Sequence, residues 1–429
     1  MGEWVKLVRG TTYKGNLVGE PGPVLLGLSS ISPNGGFRRT NFDTYGGDCA
    51  ENIVLKSGDI YVSLKDVTQS ADLLGAVARL PKDISSGRLT QDTVRLIATR
   101  KDTPWGYIYW LLRTPQYRNF CWRYATGTTT LGLGREDFLG YPVPDFTAER
   151  RSIVQALEAI ERRHEELSFQ SETLEALPRA IFKSWFVDFH PVRAKAEGRD
   201  PEGMDADTAA LFPSGLQDSP LGKIPSGWEA APLYGIAEFS NGAAYKDIHY
   251  SSNNEGLPVI KIAELKAGVT ESTRFTTTYL AERFRIEQEE ILFSRSGNPD
   301  TSIDTFIWDG GPAWLNQHIF RVRENGYVPR SWIYIQLKTL RPVFAEIARD
   351  KQTTGLGHVT VADMKRLLVC KPTDEIVLRF DEIAKPILAR IAANQLAIRK
   401  LADLRDTLLP RLISGKLRVP EAEAMLTAV

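Results

Sequence analysis

About half-way along its 429 residues the sequence begins to repeat itself. Gln91 and Arg95 in LTQDTVRLIA recur 226 positions later as Gln317 and Arg321 in WLNQHIFRVR. Ile108-Tyr109 in GYIYWLLRTPQYRNF is matched 225 positions on by Ile333-Tyr334 in SWIYIQLKTLRPVFAEI. The Thr- and Gly-rich stretches TTTLGLGREDF and KQTTGLGHVTVADM lead to Asp137-Phe138 and Asp363-Met364, again 226 apart. Upstream, KSGDIYVSLKD resembles EQEEILFSRSG, and Trp4 parallels Trp228. Five matches in one order at nearly constant spacing mean a duplicated unit, in line with the two or three domains that the length alone predicts.

Each copy has two parts. The first, residues 1–146 and 228–372, reads as short β-rich segments such as GPVLLGL, DIYVSL, PVIKIA and EILFSR between Gly, Pro and Asn turns, a mixed α/β globule. The second is a long helix, over 147–187 and 373–412. Ile153, Leu157, Ile160, His164, Leu167, Ser171 and Leu174 follow the alternating four-three spacing of a coiled-coil seam. Phe380, Ile383 and Ile387, then Ile391, Asn394, Ile398, Leu401, Arg405 and Leu408, repeat it after one slip. Two equal seams in one chain are best satisfied by packing on each other, so the expected architecture is two similar α/β domains joined by two long antiparallel coiled-coil helices, a pseudo-twofold internal repeat. At about 1.5 Å per residue, roughly 40 residues make a rod of about 60 Å. His164, Ser171 and Asn394 interrupt the seams, as polar residues that fix register. Residues 188–227 are expected to be a linker and 413–429 a C-terminal tail. Pro178-Arg179 and Pro410-Arg411 lie 232 apart, six more than the spacing upstream, so the second helix or its end turn is longer.

The composition, 42% hydrophobic and 25% charged, is that of a globular protein. No leader-like segment opens it and no apolar run approaches the roughly 20 residues of a membrane helix, so a cytoplasmic protein without membrane contact is expected. Cys49, Cys121 and Cys370 form no C-x-x-C pair and are read as reduced core thiols. Net charge is zero, 53 basic against 53 acidic residues, but the distribution is uneven. Arg95, Arg100, Lys101, Arg113, Arg118, Arg123 and Arg135 stand against Asp102 alone, and a weaker basic run extends from Arg321 to Lys351. These runs are either solvated helix faces or a nucleic-acid surface.

Signatures of catalysis are missing. There is no phosphate loop, nucleophile elbow, H-E-x-x-H pair or complete G-x-G-x-x-G after a strand. No His stands in a metal-ligand pattern, and no metal is expected. SGNPDT, Ser296 to Thr301, is similar to the Asn-Pro-Pro-aromatic motif of amino-methyltransferases, but Asp300 replaces the second proline and Thr301 the stacking aromatic.

The run LEALPRAIFKSWFVDFHPVRAKAEG, followed by ALFPSGLQDSPLGKIPSGWE, resembles the central conserved region of specificity subunits of type I restriction-modification systems. LRDTLLPRLISGKLRV resembles their distal conserved region, and the duplicated plan spans essentially the whole chain. The resemblance implies a non-catalytic subunit with two target-recognition domains and two spacer helices. It implies double-stranded DNA as ligand, with a bipartite, asymmetric site and one half-site per domain. It also implies two modification subunits as partners, which use S-adenosylmethionine, and in a restricting assembly restriction subunits that use ATP and Mg; this chain itself holds no cofactor. Phe182, Trp185 and Phe186 then pack at the helix ends and against the modification subunit, with a plain core role as the alternative, and Leu412 is placed with them as a partner contact. Base reading needs Arg, Asn or Gln at base edges and basic or amide groups at phosphates. The expected residues are Arg38, Arg39, Lys65, Thr128 and Thr129 in the first domain, and Lys246, Arg295, Asn298, Gln317, Thr353, Thr354 and His358 in the second. A stand-alone DNA adenine methyltransferase and a coiled-coil scaffold that reads nothing are the competing readings.

Overall fold

The computed structural model describes residues 1–39, 42–67, 70–352 and 356–415. It divides into two units, one of Met1–Glu165 with the chain from Arg399 onward, the other of Glu166–Ile398. Each is mixed α/β, and the two share one topology.

In the first unit a four-stranded antiparallel sheet runs in the order Val5–Arg9, Thr93–Ala98, Ile60–Ser63, Val77–Arg79. In the second the same order is Glu238–Asn241, Ile319–Arg323, Ile291–Ser294, Asp304–Ile307. Arg95 lies opposite Val8 and Tyr61, and Arg321 opposite Ser240 and Leu292. A second sheet carries a parallel pair in both units, Val24–Leu26 with Gly87–Leu89 and Leu257–Ile260 with Ala313–Leu315. Each unit then has two consecutive helices, Trp105–Leu111 and Pro115–Arg123 in one, Arg330–Thr339 and Arg341–Asp350 in the other. Even the turns agree: Asp59 Oδ2 accepts from the Lys56 N–H and Glu290 Oε2 from the Glu287 N–H.

This register corrects one sequence match. Val8 and Ser240 occupy the same place, so VRGTTY aligns with SNGAAY, and Gly10 and Tyr13 correspond to Gly242 and Tyr245. A Cβ at Gly10 would stand 2.1 Å from the Thr90 carbonyl oxygen, and one at Gly242 2.3 Å from that of Asn316. Backbone crossing backbone requires glycine at both positions. Trp4 is therefore not the counterpart of Trp228, which precedes an extra strand pair, Glu229–Pro232 with Leu368–Lys371.

The long helices are Ala148–Phe182, 35 residues, and Asp374–Ser414, 41 residues. Their starts keep the spacing of 226 and the second is six residues longer, as the proline positions require. Seam residues Ile153, Leu157, Ile160 and Leu167 are buried in one helix, and Phe380, Ile391, Leu401 and Leu408 in the other. Within the first unit Arg150 donates to the carbonyls of Leu412 and Ile413. Within the second, Ser171 meets Asn394, and Phe182 packs on Phe380 at 5.5 Å. The pairing is thus antiparallel in the second unit, and two of the three polar interruptions satisfy each other: Asn394 Nδ2 donates to Ser171 Oγ at 3.3 Å. The unit boundary falls inside both helices, so part of each helix belongs to each unit.

The first helix ends in a way the seam does not announce. Lys183–Val187 form one π turn, closed by the Asp188 N–H donating to the Lys183 carbonyl. Trp185 and Phe186, three and four residues beyond Phe182, lie on the same side as it. Phe189 then takes a left-handed backbone (φ 55°), and the short helix His190–Ala196 carries Pro191 in its first turn. A bulky residue at positive φ costs roughly 1–2 kcal/mol, which burial of its ring against Trp228, at 5.8 Å, offsets. Residues 188–227 are not a linker in the structural sense: Val192, Phe212 and Ile224 join the same core. Cys121 and Cys370 are buried thiols, whereas Cys49 is only half-buried and so is not core. Among the described residues no helix is long and apolar enough to cross a membrane.

The Ser171–Asn394 contact makes a prediction. Ser171→Ala alone strands a buried amide and should lower stability by about 1–3 kcal/mol, whereas Ser171→Ala with Asn394→Leu should be neutral or raise the melting temperature. Thermal unfolding of both variants checks it.

Candidate nucleic-acid interface

In each unit the two middle strands of the central sheet end together, and the chain beyond them carries polar side chains. In the second unit the Arg295 N–H donates to the His318 carbonyl, which brings the exit of Ile291–Ser294 beside the entry of Ile319–Arg323. The Arg295 guanidinium is fixed there, donating to Asn241 Oδ1 at 3.2 Å and to the Gln317 carbonyl at 3.1 Å, with its carbon 5.1 Å from the Phe320 ring centre. The two-residue strand Ser296–Gly297 pairs with Gly357–His358, so Arg295, Gln317, His318 and His358 share one sheet end. Burial, then the charges of Arg295 and His358, lower the His318 pKa, which makes it a neutral donor–acceptor at neutral pH.

The same end of the first unit is built alike and decorated differently. Lys65 pairs with Gly132, as Ser296 does with His358. Lys65 Nζ is held by Asp92 Oδ1 at 2.8 Å, and Asp92 occupies the place of His318. Thr128 and Thr129 lie exposed on the hairpin between Ala125–Thr126 and Leu131–Leu133.

The remaining expected residues are scattered. Arg38 is exposed, while Arg39 makes a bidentate pair with Asp83, at 2.6 and 2.9 Å, which holds the Asp83 carboxyl below its usual range. Lys246 is exposed in a turn where its N–H donates to His249 Nδ1. Asn298 closes its own turn, Oδ1 accepting from the N–H groups of Asp300 and Thr301. That local closure leaves SGNPDT a turn and not a slot for a flipped base. Thr353 and Thr354 lie outside the described residues.

Two expectations are corrected. Phe182, Trp185, Phe186 and Leu412, offered as partner contacts, are each less than 9% exposed; the first three pack among Trp228, Trp332 and Phe380. The core role is the one the structure fits, because such side chains present no face to a partner. The basic runs, too, are largely spent inside the fold. Arg95 pairs with Asp59, Arg113 with Glu161, and Arg118 donates to the carbonyls of Ala71, Asp72 and Leu74. In the second run Arg323 pairs with Glu290, Arg349 with Asp300 and Lys351 with Asp363.

No protein-family model matches the chain. It is 25% identical over 325 residues to the MjaIX type I restriction enzyme specificity subunit of Methanocaldococcus jannaschii, covering 73% of this chain and 69% of that one. The HindI specificity subunit of Haemophilus influenzae is 22% identical over 325 residues, 65% of this chain and 69% of that one. Along most of its length the chain is thus similar to specificity subunits of type I restriction enzymes. The fold agrees: the crystal structure of the type I restriction-modification S subunit from M. genitalium superposes with a TM-score of 0.57 at 15% identity, over 96% of this chain and 94% of that one.

Asp363 anchors the segment that carries His358. Burial pushes its carboxyl up, but the Lys351 ammonium and the hydroxyl and N–H of Thr360 outweigh that and hold it at about 2, against 3.8 for a free side chain. The folded pKa is depressed, so this clamp stabilises fully above about pH 4 and is lost as pH falls toward 2. Asp363→Asn should speed amide exchange at 357–363 at neutral pH and leave the sheet strand Ile319–Arg323 protected, as hydrogen-exchange mass spectrometry would show.

Proposed function

We propose that each unit reads one half of a bipartite, asymmetric DNA site and that the paired long helices carry two methyltransferase subunits. The observation that carries this reading is the pair of matched sheet ends. Duplication supplies one scaffold twice, yet Lys65, Asp92 and Gly132 stand in one copy where Ser296, His318 and His358 stand in the other. Equal frames with unequal side chains suit two different short sequences. In the second unit Arg295 and Gln317 provide the donors that pair with guanine or adenine edges; in the first, Lys65 and the exposed Thr128 and Thr129 provide charge and hydroxyls. Arg39 and Lys246 are assigned to backbone phosphates, with Arg38 beside the former.

On this reading S-adenosylmethionine belongs to the methyltransferase partners, and ATP and Mg to restriction subunits, with the whole assembly in the cytoplasm. Since several arginines of the basic runs are neutralised by carboxylates of the same fold, the chain's own DNA affinity is low and steeply salt-dependent. Tight binding then requires the partners.

Co-expression with the neighbouring methyltransferase subunit in a methylation-free host, followed by single-molecule mapping of N6-methyladenine, should show a split asymmetric motif. Exchanging residues 1–146 for those of a relative should change one half only. Methylation of a continuous palindrome would be incompatible with two independent readers.

A further inference from the structure

In the second unit a cavity of about 400 Å³ is lined by Tyr245, Tyr250, Lys261, Asn316 and His318. Tyr245 is 9% exposed and its hydroxyl is buried without a hydrogen-bond partner. A buried polar group left unpaired costs about 1–3 kcal/mol. Burial also pushes this hydroxyl up to about 12, so it remains a proton donor across the neutral range.

The cavity has a charge of one sign. Lys261 Nζ stands 5.2 Å from the centre of the Tyr250 ring, and among the described residues no carboxylate pairs with it. Arg274 covers the same ring at 3.7 Å, but its charge is taken by Asp247. None of the lining residues is acidic.

The first unit shows what the site looks like when the chain fills it. Leu26 pairs with Leu89 as Ile260 pairs with Leu315, so Gly27 stands where Lys261 does, and Arg88 where Trp314 does. Arg88 is 3% exposed, donates to Thr11 and Thr12, and lies 4.8 Å from the Tyr45 ring centre. Asp92 replaces His318, and Tyr13, the counterpart of Tyr245, is 44% exposed. One copy closes the position with its own arginine, and the other leaves donors facing a cavity.

We propose that this cavity is a phosphate pocket, in which Lys261 supplies the charge and Tyr245 and Asn316 donate hydrogen bonds to phosphoryl oxygens. The inference rests on the DNA-reading function and deepens it: the phosphate belongs to the DNA backbone beside the half-site of the second unit. Free phosphate is the other source of the same chemistry.

The test uses the full chain, a labelled DNA duplex over a salt series, and inorganic phosphate in a thermal-shift assay. Lys261→Met should lower the slope of log K against log salt by about one, Lys261→Arg should keep it, and Tyr245→Phe should weaken binding several-fold at unchanged slope. Wild-type melting temperature for each variant separates these effects from misfolding. If inorganic phosphate stabilises the wild type and not Lys261→Met while the DNA slope is the same in both, the pocket stands with free phosphate as its source. If neither readout depends on Lys261, the proposal is overturned. Should the wild type bind no duplex even with its methyltransferase partner, the DNA-reading function fails, and the phosphate arm decides the pocket alone.

Discussion

The second unit depends on one aromatic cluster. Phe182 and Phe186 come from the end of the first long helix, Phe380 from the start of the second, Trp332 from a helix behind the sheet, and Trp228 from the strand entry. Five rings from four segments far apart in sequence meet in one place, and each contributes on the order of 2–3 kcal/mol by burial alone. The π turn at Lys183–Val187 and the left-handed Phe189 end the helix beside this cluster.

On that base, the duplicated units keep what frames a surface and vary what stands on it. The crossing at Gly10 and Gly242 is the same, as are the carboxylate-capped turns at Asp59 and Glu290. These are backbone demands with few chemical solutions. The sheet ends carry no such demand, and there the copies differ in charge as well as in shape, with an aspartate facing a lysine in one and two histidines beside an arginine in the other.

Much of this was legible in the sequence, where long periodic patterns report burial directly. Helix starts 226 residues apart, the seam from Ile153 to Leu408 and the shared central-strand arginines all follow from spacing. The register of the first strand did not: Trp4 and Trp228 drew the eye, whereas Gly-x-x-Tyr, the pattern that matters, is short and gains meaning only from the strand it crosses. The basic runs misled because the partners of Arg113 and Arg118 lie more than forty residues away, beyond any local count of charge. Among the candidate residues, Arg295 and Gln317 were named from base chemistry and lie together at one sheet end. His318, Asn241 and Lys261 were missed, since each acquires its role from neighbours on other strands.

The division of the long helices between the units also sets an order of events at the ribosome. The second unit, Glu166–Ile398, is continuous and emerges whole. The first holds its N-terminal globule and half a helix from early in synthesis, yet the buried Leu408 and Leu412 join it only after the second unit has been made. Contacts such as Arg150 with Leu412, 262 residues apart, are the slow kind in which closure entropy precedes any gain. The first unit is therefore completed after the second, and its open apolar seam is the surface a chaperone would guard.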